Sequence, residues 1–350
     1  MGMAWAVLQG KLDLTNELAK RIYACTTCGY CSARCSMNIT AIIEAFRADV
    51  VNIDRKEEPE IAPLPVQKKW GDHVKREHNP YLEKHADRTK WLASEIKREM
   101  PKKVEYVYFV GCTSSYRQKK IARDTVEVLR KLGLDFTILE DEWCCSSPML
   151  RTGQWEPVGK IVQHNVDIIN KAGADAIITT CAGCYKTWKI DYRDTYKDLV
   201  GVKFDFKVLH TTQLLADLVK KGELEFEKEF RKKAAYHDPC HLGRHAEVYE
   251  PPREVLRAVP GLELVEMPRN REWATCCGAG GGFKSGFREE SVKMAATRIE
   301  EAAETGAEAL TSSCPFCWGN FREAIQANES KMELYDIVEI VNKTIRQRTK

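Results

Sequence analysis

Cysteine spacing is the feature that most constrains this chain, because ten of its 14 cysteines form one pattern written twice. The first copy holds Cys112, then 31 residues, then Cys144 and Cys145, then 35 residues, then Cys181 and Cys184. The second copy repeats these parts at intervals of 35 and 36 residues, with Cys240, Cys276, Cys277, Cys314 and Cys317. A single CxxC pair is weak evidence, whereas five cysteines that recur at matched offsets predict two internally related metal sites.

The remaining four cysteines form a compact C-x2-C-x2-C-x3-C run, made of Cys25, Cys28, Cys31 and Cys35. Such a run on a tight loop, with Gly29 easing the turn, is typical of a [4Fe-4S] cubane. In modules with two such clusters, the fourth cysteine of a run binds the other cluster. Because this chain has no second run, Cys35 either closes its own cluster or once faced a neighbour. A structural zinc site with four cysteines is the alternative.

Zinc accounts less well for the doubled pattern. A tetrahedral zinc site needs four ligands, and successive side chains such as those of Cys144 and Cys145 tend to diverge. Five thiolates that include an adjacent pair suit a cluster of several iron atoms better, with one thiolate bridging two irons or capping one. The pattern therefore favours iron–sulfur chemistry over a zinc-binding interaction module.

Composition excludes several other classes of protein. The 350 residues are 43% hydrophobic and 30% charged with a net charge of +3, which predicts two or three globular domains and argues against nucleic acid as the main partner. No apolar run approaches the roughly 18 residues that span a bilayer, and the N-terminus does not resemble a signal peptide. We therefore expect a cytoplasmic protein with reduced thiols, and leave open its peripheral attachment to the inner face of the cytoplasmic membrane.

Periodicity predicts an α/β fold class with two repeated units, each a small parallel sheet flanked by helices, preceded by a helical ferredoxin-like segment. The predicted domains are a ferredoxin-like segment at 1–52, a charged connector at 53–103, and the two cysteine-rich units at 104–232 and 233–350. In the connector, the sequence predicts one helix over about 87–100. Ligands of such sheets gather beyond the carboxyl ends of strands, which is where Cys112, Cys181, Cys240 and Cys314 are expected.

Two histidines lie beside a predicted ligand in the segment His237-Asp-Pro-Cys240-His241. Histidine titrates near neutral pH, so His237 and His241 are candidate proton donors to a leaving thiolate; a structural hydrogen bond is the alternative. The glycines of Gly278-Ala-Gly-Gly-Gly282 lie inside the cysteine loop rather than between a strand and a helix. They are more consistent with a backbone that closes around a cluster or substrate than with nucleotide binding.

The doubled pattern resembles the cysteine-rich CCG domain of heterodisulfide reductases, and the surrounding residues resemble the D subunit of the membrane-linked enzyme. The segments that carry this resemblance are Tyr108-Phe-Val-Gly-Cys112-Thr, Trp143-Cys-Cys, Arg151-Thr-Gly-Gln154, His237-Asp-Pro-Cys-His-Leu-Gly-Arg244 and Cys276-Cys-Gly-Ala-Gly-Gly-Gly282. The chain departs from the family in two places. It has one ferredoxin-type run where relatives usually have two, and its first adjacent pair is followed by Ser146 instead of glycine.

The resemblance implies an iron–sulfur oxidoreductase that cleaves a disulfide, such as the coenzyme M–coenzyme B heterodisulfide, between two noncubane [4Fe-4S] clusters fed by the cubane. One noncubane cluster would be held by Cys112, Cys144, Cys145, Cys181 and Cys184, and the other by Cys240, Cys276, Cys277, Cys314 and Cys317. Electrons would come from a membrane cytochrome b subunit or a soluble flavin or iron–sulfur protein. The rival is an electron-relay subunit of a membrane-associated respiratory dehydrogenase. Relays often lose cysteines in one repeat, so the retention of all ten favours the enzyme.

Overall fold

Two separate four-stranded parallel sheets form the framework of the chain, in a computed structural model that describes residues 2–52 and 62–347. The first sheet contains β1 (Tyr106–Tyr108), β2 (Phe136–Thr137), β3 (Ala176–Thr179) and β4 (Lys207–His210). The second contains β5 (Lys232–Tyr236), β6 (Leu262–Val265), β7 (Ala309–Ser312) and β8 (Glu333–Asp336). Their orders, β2-β1-β3-β4 and β6-β5-β7-β8, are identical, so the repeat of the cysteines is also a repeat of topology.

Helices cover both sheets, as parallel strands require, since each crossover must return to the same end of the sheet. In the N-terminal part and connector they are α1 (Gly2–Leu8), α2 (Asn16–Tyr23), α3 (Ile39–Asn52), α4 (Pro65–Glu77) and α5 (Ser94–Glu99). The first unit has α6 (Gly111–Tyr116), α7 (Lys119–Lys131), α8 (Ser147–Thr152), α9 (Val158–Ala172), α10 (Ala182–Lys186), α11 (Lys197–Val200) and α12 (Thr211–Lys220), with a π-helical stretch at Thr187–Thr195. The second has α13 (Glu250–Ala258), α14 (Phe283–Gly286), α15 (Arg288–Glu304), α16 (Pro315–Ala327) and α17 (Ile337–Thr344).

The central strand of each sheet holds its register through apolar residues that are buried on both faces. In β1, Val107 pairs with Ile177 of β3, and in β5, Ala235 pairs with Leu310 of β7; all four side chains are fully buried. Strands that are buried on both faces read as continuous apolar runs, which is why the sequence revealed them. The predicted α/β fold class with two repeated units is confirmed.

The connector departs from its prediction. Part of it, residues 53–61, lies outside the described residues, and the remainder contains two helices where one was predicted. The helix α4 was missed because its pattern is amphipathic but Pro-flanked, and it buries Gln67, Trp70 and Val74. The predicted helix over 87–100 is shorter, as α5 begins only at Ser94. The described part of the connector is therefore folded and packed: Trp70 and Val74 join the main apolar core, and Gln67 donates to the carbonyl oxygen of Gly282 in the second unit at 3.0 Å.

A membrane-spanning helix is absent from the described ranges: none of the helices there is both long and apolar enough to cross a bilayer.

Candidate metal centre

A cavity of about 610 Å³ lies between the two units, at the carboxyl ends of their central strands. Nine of the ten repeated cysteines line it, namely Cys112, Cys144, Cys145, Cys181, Cys184, Cys240, Cys277, Cys314 and Cys317. The strands β1, β3, β5 and β7 run toward this cavity and are followed by Cys112, Cys181, Cys240 and Cys314, as the strand-end argument expects. Folding thus brings residues that are more than 200 positions apart in the sequence to one place.

The first five thiols form a continuous chain of contacts. The Sγ atoms of Cys145 and Cys184 are 3.3 Å apart, Cys144 joins Cys145 to Cys112 through thiol–thiol hydrogen bonds, and Cys184 hydrogen-bonds with Cys181. Hydrogen bonds from Cys144 and Cys184 hold the pKa of Cys145 well below its usual range, although burial opposes this. A lowered pKa favours the thiolate, which is the form that binds a metal.

The second five thiols repeat this arrangement. The Sγ atoms of Cys277 and Cys317 are 3.2 Å apart, and hydrogen bonds from Cys276 and Cys317 hold the pKa of Cys277 well below its usual range. Cys276 in turn contacts Cys240. The adjacent cysteines of each pair therefore both join the thiol network of their own unit.

The two sets meet at one contact. Hydrogen bonds from Cys181 of the first unit and Cys317 of the second hold the pKa of Cys314 well below its usual range. All 14 cysteines lie within the described residues, and all are free thiols rather than disulfides. Ten convergent free thiols, several with depressed pKa values, are a donor set that suits thiolate-bound iron–sulfur clusters.

The N-terminal cysteine loop docks on the second unit. The thiol of Cys28 hydrogen-bonds with Cys276, which raises the pKa of Cys28 above its usual range. Arg244 donates to the carbonyl oxygen of Cys28 at 2.9 Å, and the ring of His245 contacts the carbonyl oxygen of Thr27 at 3.1 Å. The loop backbone lies so close to Gly281 that a Cβ atom there would be 2.6 Å from the carbonyl carbon of a loop threonine. These contacts place the N-terminal thiols beside the second set.

Arg47 connects the same loop to both units. Its guanidinium is fully buried and, among the described residues, donates to the backbone carbonyl oxygens of Ile22, Cys25, Arg151 and Gly281. These acceptors belong to the N-terminal segment and to both units. One cation therefore joins three parts of the chain around the candidate centre.

The four N-terminal cysteines differ in exposure. Cys25 and Cys28 are partly buried, whereas Cys31 and Cys35 are exposed on either side of the short 3₁₀ turn at Ser32–Arg34. The electrostatic neighbours of Cys25 include Cys28 and Cys31. The run thus divides into two partly buried thiols near the second unit and two exposed thiols.

The two candidate proton donors occupy different environments. His241 lines the cavity and lies beside Gly183 of the first unit, while His237 is 1% exposed and is not among the lining residues. Burial, together with the positive charge of Arg298, lowers the pKa of His237 to about 3. Burial and neighbouring cations also hold the pKa of His241 well below its usual range. Of the two, only His241 is therefore placed to meet a molecule in the cavity.

A buried ion pair supports the first set of thiols. Arg88 of the connector pairs with Glu142 of the first unit and also donates to the Sγ atom of Cys112 at 3.5 Å. Both oxygens of Glu142 accept backbone N–H groups of Val110 and Gly111, directly before that cysteine. The cation thus contacts a sulfur while its charge is balanced by a fixed carboxylate.

A second buried network includes two side chains close to the first set. Arg151 pairs with Asp191 and with Glu44 of the N-terminal segment, and Lys186 contacts Asp191 at 2.6 Å. Arg151 also lines the cavity, and its two terminal nitrogens are paired with carboxylates rather than free to bind an anion.

Sequence reasoning missed much of the cavity rim. Arg322, Lys284 and Arg288 line the cavity, and the last two share Glu323 at 2.7 and 2.6 Å. Trp70 of α4 lines it as well. Arg322 lies on α16 five residues after Cys317, and Lys284 and Arg288 lie on the two helices that follow the Cys276–Cys277 loop, but a cysteine pattern by itself carries no signal for them.

These features define the class of protein: an oxidoreductase built from two cysteine-rich α/β units around a shared thiol-lined cavity. A family model described as a cysteine-rich domain, CCG, matches residues 106–189 and again 234–322. The D subunit of a dihydromethanophenazine:CoB–CoM heterodisulfide reductase from Methanosarcina barkeri is 40% identical over 329 residues, which is 93% of this chain and 78% of that protein. The chain belongs to the family of heterodisulfide reductase D subunits and is an iron–sulfur oxidoreductase.

Other relatives are more distant. An EtfAB:quinone oxidoreductase from Syntrophomonas wolfei is 30% identical over 351 residues, covering 93% of this chain and 47% of that protein. A crystal structure of a hypothetical protein from Helicobacter pylori aligns with a TM-score of 0.60 at 9% identity, over 89% of this chain and 59% of that one. At that identity the similarity concerns the fold alone.

Proposed function

We propose that this chain reductively cleaves a disulfide in the cavity between its two units, using two noncubane [4Fe-4S] clusters and one cubane. The single observation that carries the proposal is that nine cysteines from both repeats line one cavity of about 610 Å³. A cavity of this size accommodates a small organic molecule. A buried relay between fixed centres has no need of such a space.

The ten repeated cysteines are assigned as ligands in two sets of five, one for each unit. When bound, the two clusters supply one electron each to the sulfur–sulfur bond. Cleavage of a disulfide consumes two electrons and two protons and yields two thiols, so the balance also requires a proton source. His241 is assigned to pass a proton from solvent to the departing thiolate, because it is the histidine that lines the cavity and its lowered pKa suits a relay rather than a stored proton.

Electrons are proposed to enter through the N-terminal site, held by Cys25, Cys28 and Cys31 with Cys35 as the fourth candidate. The contact between Cys28 and Cys276 supports passage to the second unit first. The electron donor is assigned as a partner protein, either a membrane cytochrome b subunit or a soluble flavin or iron–sulfur protein.

The substrate is assigned as a small disulfide that carries negative charge, of which the coenzyme M–coenzyme B heterodisulfide named in the M. barkeri relative is the leading example. Three cations and one carboxylate from Lys284, Arg288, Arg322 and Glu323 line the cavity. This excess of positive charge would attract an anionic substrate and hold its charged ends away from the thiols.

The second candidate is an electron relay to a quinone-linked partner, without a substrate of its own. The similarity to the EtfAB:quinone oxidoreductase favours it. Under this alternative, the cavity would release no thiol when the chain is reduced.

The decisive experiment is anaerobic purification, analysis of iron and acid-labile sulfide, and assay of thiol release from the heterodisulfide with reduced viologen. We expect iron and sulfide in amounts that match three [4Fe-4S] clusters, and loss of thiol release in Cys145→Ala and in Cys276→Ala. Zinc without iron would refute the cofactor assignment. Thiol release that survives the loss of either adjacent pair would refute cleavage between two clusters.

A further inference from the structure

The two units differ at one pair of equivalent positions that lie close to their cysteine sulfur atoms. Phe109 and His237 each lie three residues before the first cysteine of their set. Their backbones are equivalent, because the N–H of Phe109 donates to the carbonyl oxygen of Ile178 and that of His237 to Thr311, both at 2.9 Å. Both residues directly follow the central strand of their sheet. The two side chains therefore start from equivalent positions and can be compared directly.

The rings also pack in equivalent places. Phe109 meets Trp188 edge to face at 5.5 Å between centroids, and His237 meets Phe321 in the same way at 4.8 Å. Trp188 and Phe321 each lie four residues after the last cysteine of their set. A phenyl ring and an imidazole ring thus fill the same pocket, and only the imidazole carries a polar proton.

The hydrogen bonds of His237 fix where that proton lies. Arg298, which is fully buried, donates from Nε to Nδ1 of His237 at 3.3 Å, so Nδ1 is the acceptor and Nε2 carries the hydrogen. Within the part of the chain that the structure describes, Nε2 is buried and has no hydrogen-bond partner. A ring nitrogen of His237 lies within 4.8 Å of the sulfur atoms of Cys277 and Cys317. The unpartnered N–H belongs to a ring that adjoins those two sulfurs.

We propose that Nε2–H of His237 donates a hydrogen bond to a sulfur of the second iron–sulfur site and so raises the reduction potential of that site. This inference rests on the proposed function, since it requires a cluster on the second five cysteines. A hydrogen bond to sulfur stabilises the more negative, reduced state, and such bonds are among the levers that set cluster potentials. His237 acts here as a positioning and tuning residue, because it lies behind the cluster ligands and outside the lining of the cavity.

The first unit has a different donor at a different sulfur. Its counterpart ring, Phe109, has no polar hydrogen, and its sulfur contact comes from the charge-balanced pair of Arg88 and Glu142 at Cys112. Replacing His237 alone should therefore remove the proposed increase in reduction potential, and it should do so at the second site. An electron that arrives from the N-terminal loop beside Cys276 would meet the site that His237 stabilises in its reduced form.

The test is a redox titration followed by electron paramagnetic resonance on the anaerobically purified protein, comparing wild type with His237→Phe, which installs the residue of the first unit. We expect the potential of one noncubane cluster to shift downward while iron and sulfide content stay unchanged. His237→Gln, which keeps an N–H donor, should have a reduction potential between those of His237→Phe and wild type. Phe109→Leu is the matched control in the first unit and should leave the second-site potential unchanged.

A second measurement does not depend on any variant. Pulsed resonance of wild type labelled with ¹⁵N-histidine should show a weak nitrogen coupling to one reduced cluster. Unchanged potentials in His237→Phe with no nitrogen coupling in wild type would overturn the inference and leave the proposed function intact. A strong coupling of a coordinated nitrogen, with loss of iron in both His237 variants, would also overturn it, because the residue would then be a ligand. Protein purified without iron and sulfide would refute both.

Discussion

The two units share one topology but differ in what covers their thiols. The connector packs on the first unit, where Arg88 reaches the Sγ atom of Cys112 and Trp70 borders the cavity. The N-terminal cysteine loop packs on the second unit, where Cys28 contacts Cys276. Duplication therefore supplied two equivalent sets of thiols, and the segments outside the repeat made them unequal. Under the proposed function, this asymmetry would give the pair of sites a direction, from the N-terminal loop to the second unit first.

The largest expected effect tests that direction. Cys28→Ala should abolish thiol release driven by a reduced ferredoxin, a protein donor too large to enter the cavity. Release driven by reduced viologen should persist, since a small dye can reach the thiols that line the cavity directly. Met37→Ala is the control, as this exposed residue of the same segment should affect neither rate. Equal loss of both rates in Cys28→Ala would mean that electrons do not enter through the N-terminal loop.

The next largest expected effect is a loss of stability that should be confined to the first unit. Arg88→Met leaves Glu142 buried without its cation, which should lower the free energy of unfolding by about 3–5 kcal/mol. The double variant Arg88→Met/Glu142→Gln should lose clearly less, because no unpaired charge remains. Chemical denaturation at pH 7 measures the change, and hydrogen exchange should increase in β1 more than in β5. A uniform increase in both sheets would contradict the assignment of this pair to one unit.

A third prediction concerns pH and the network between the first unit and the N-terminal segment. Burial raises the pKa of Asp191, but Arg151 and Lys186 outweigh it, so the net pKa lies below its usual value. A lowered pKa stabilises the folded state above the unfolded pKa of about 3.9, and this contribution disappears as the pH falls through the folded value.

Asp191→Asn should accordingly cost on the order of 3 kcal/mol at pH 7, with a smaller difference from wild type below about pH 4. Denaturation curves between pH 3 and pH 7 provide the measurement. Lys189→Met, a change on the same π-helical stretch outside the network, is the control. A difference that stays constant across this pH range would exclude the ion pairs as its source.

The smallest expected effects come from giving the residue after each adjacent cysteine pair the identity that it has in the other unit. Ser146 has a φ of 55°, in the left-handed region that favours glycine, so Ser146→Gly should change stability by less than about 1 kcal/mol. Gly278 has a φ of 82°, and a Cβ there would lie 2.6 Å from the carbonyl oxygen of Ser291. Gly278→Ser should therefore cost at least about 2 kcal/mol. Thermal denaturation of both variants would compare them, and equal costs would contradict this difference in crowding.

The sequence determined the repeated fold and the set of thiols. Apolar strands buried on both faces, such as β1 and β3, leave continuous hydrophobic runs that are visible in one sequence. The departure at Ser146 was visible as well, and in the structure this serine has a positive φ, as Gly278 does at the equivalent position of the second unit. Cysteine spacing identified the thiols because a cluster fixes the number and order of its ligands along the chain.

Only the tertiary structure decided which thiols meet and what surrounds them. The contact between Cys181 and Cys314, the docking of Cys28 on the second unit, and the cationic rim at Arg322 all join segments that are distant in sequence. The different environments of His237 and His241, four positions apart, also required the packed structure. Periodicity and spacing report local backbone geometry, whereas these contacts depend on how complete units pack, and no local pattern encodes that.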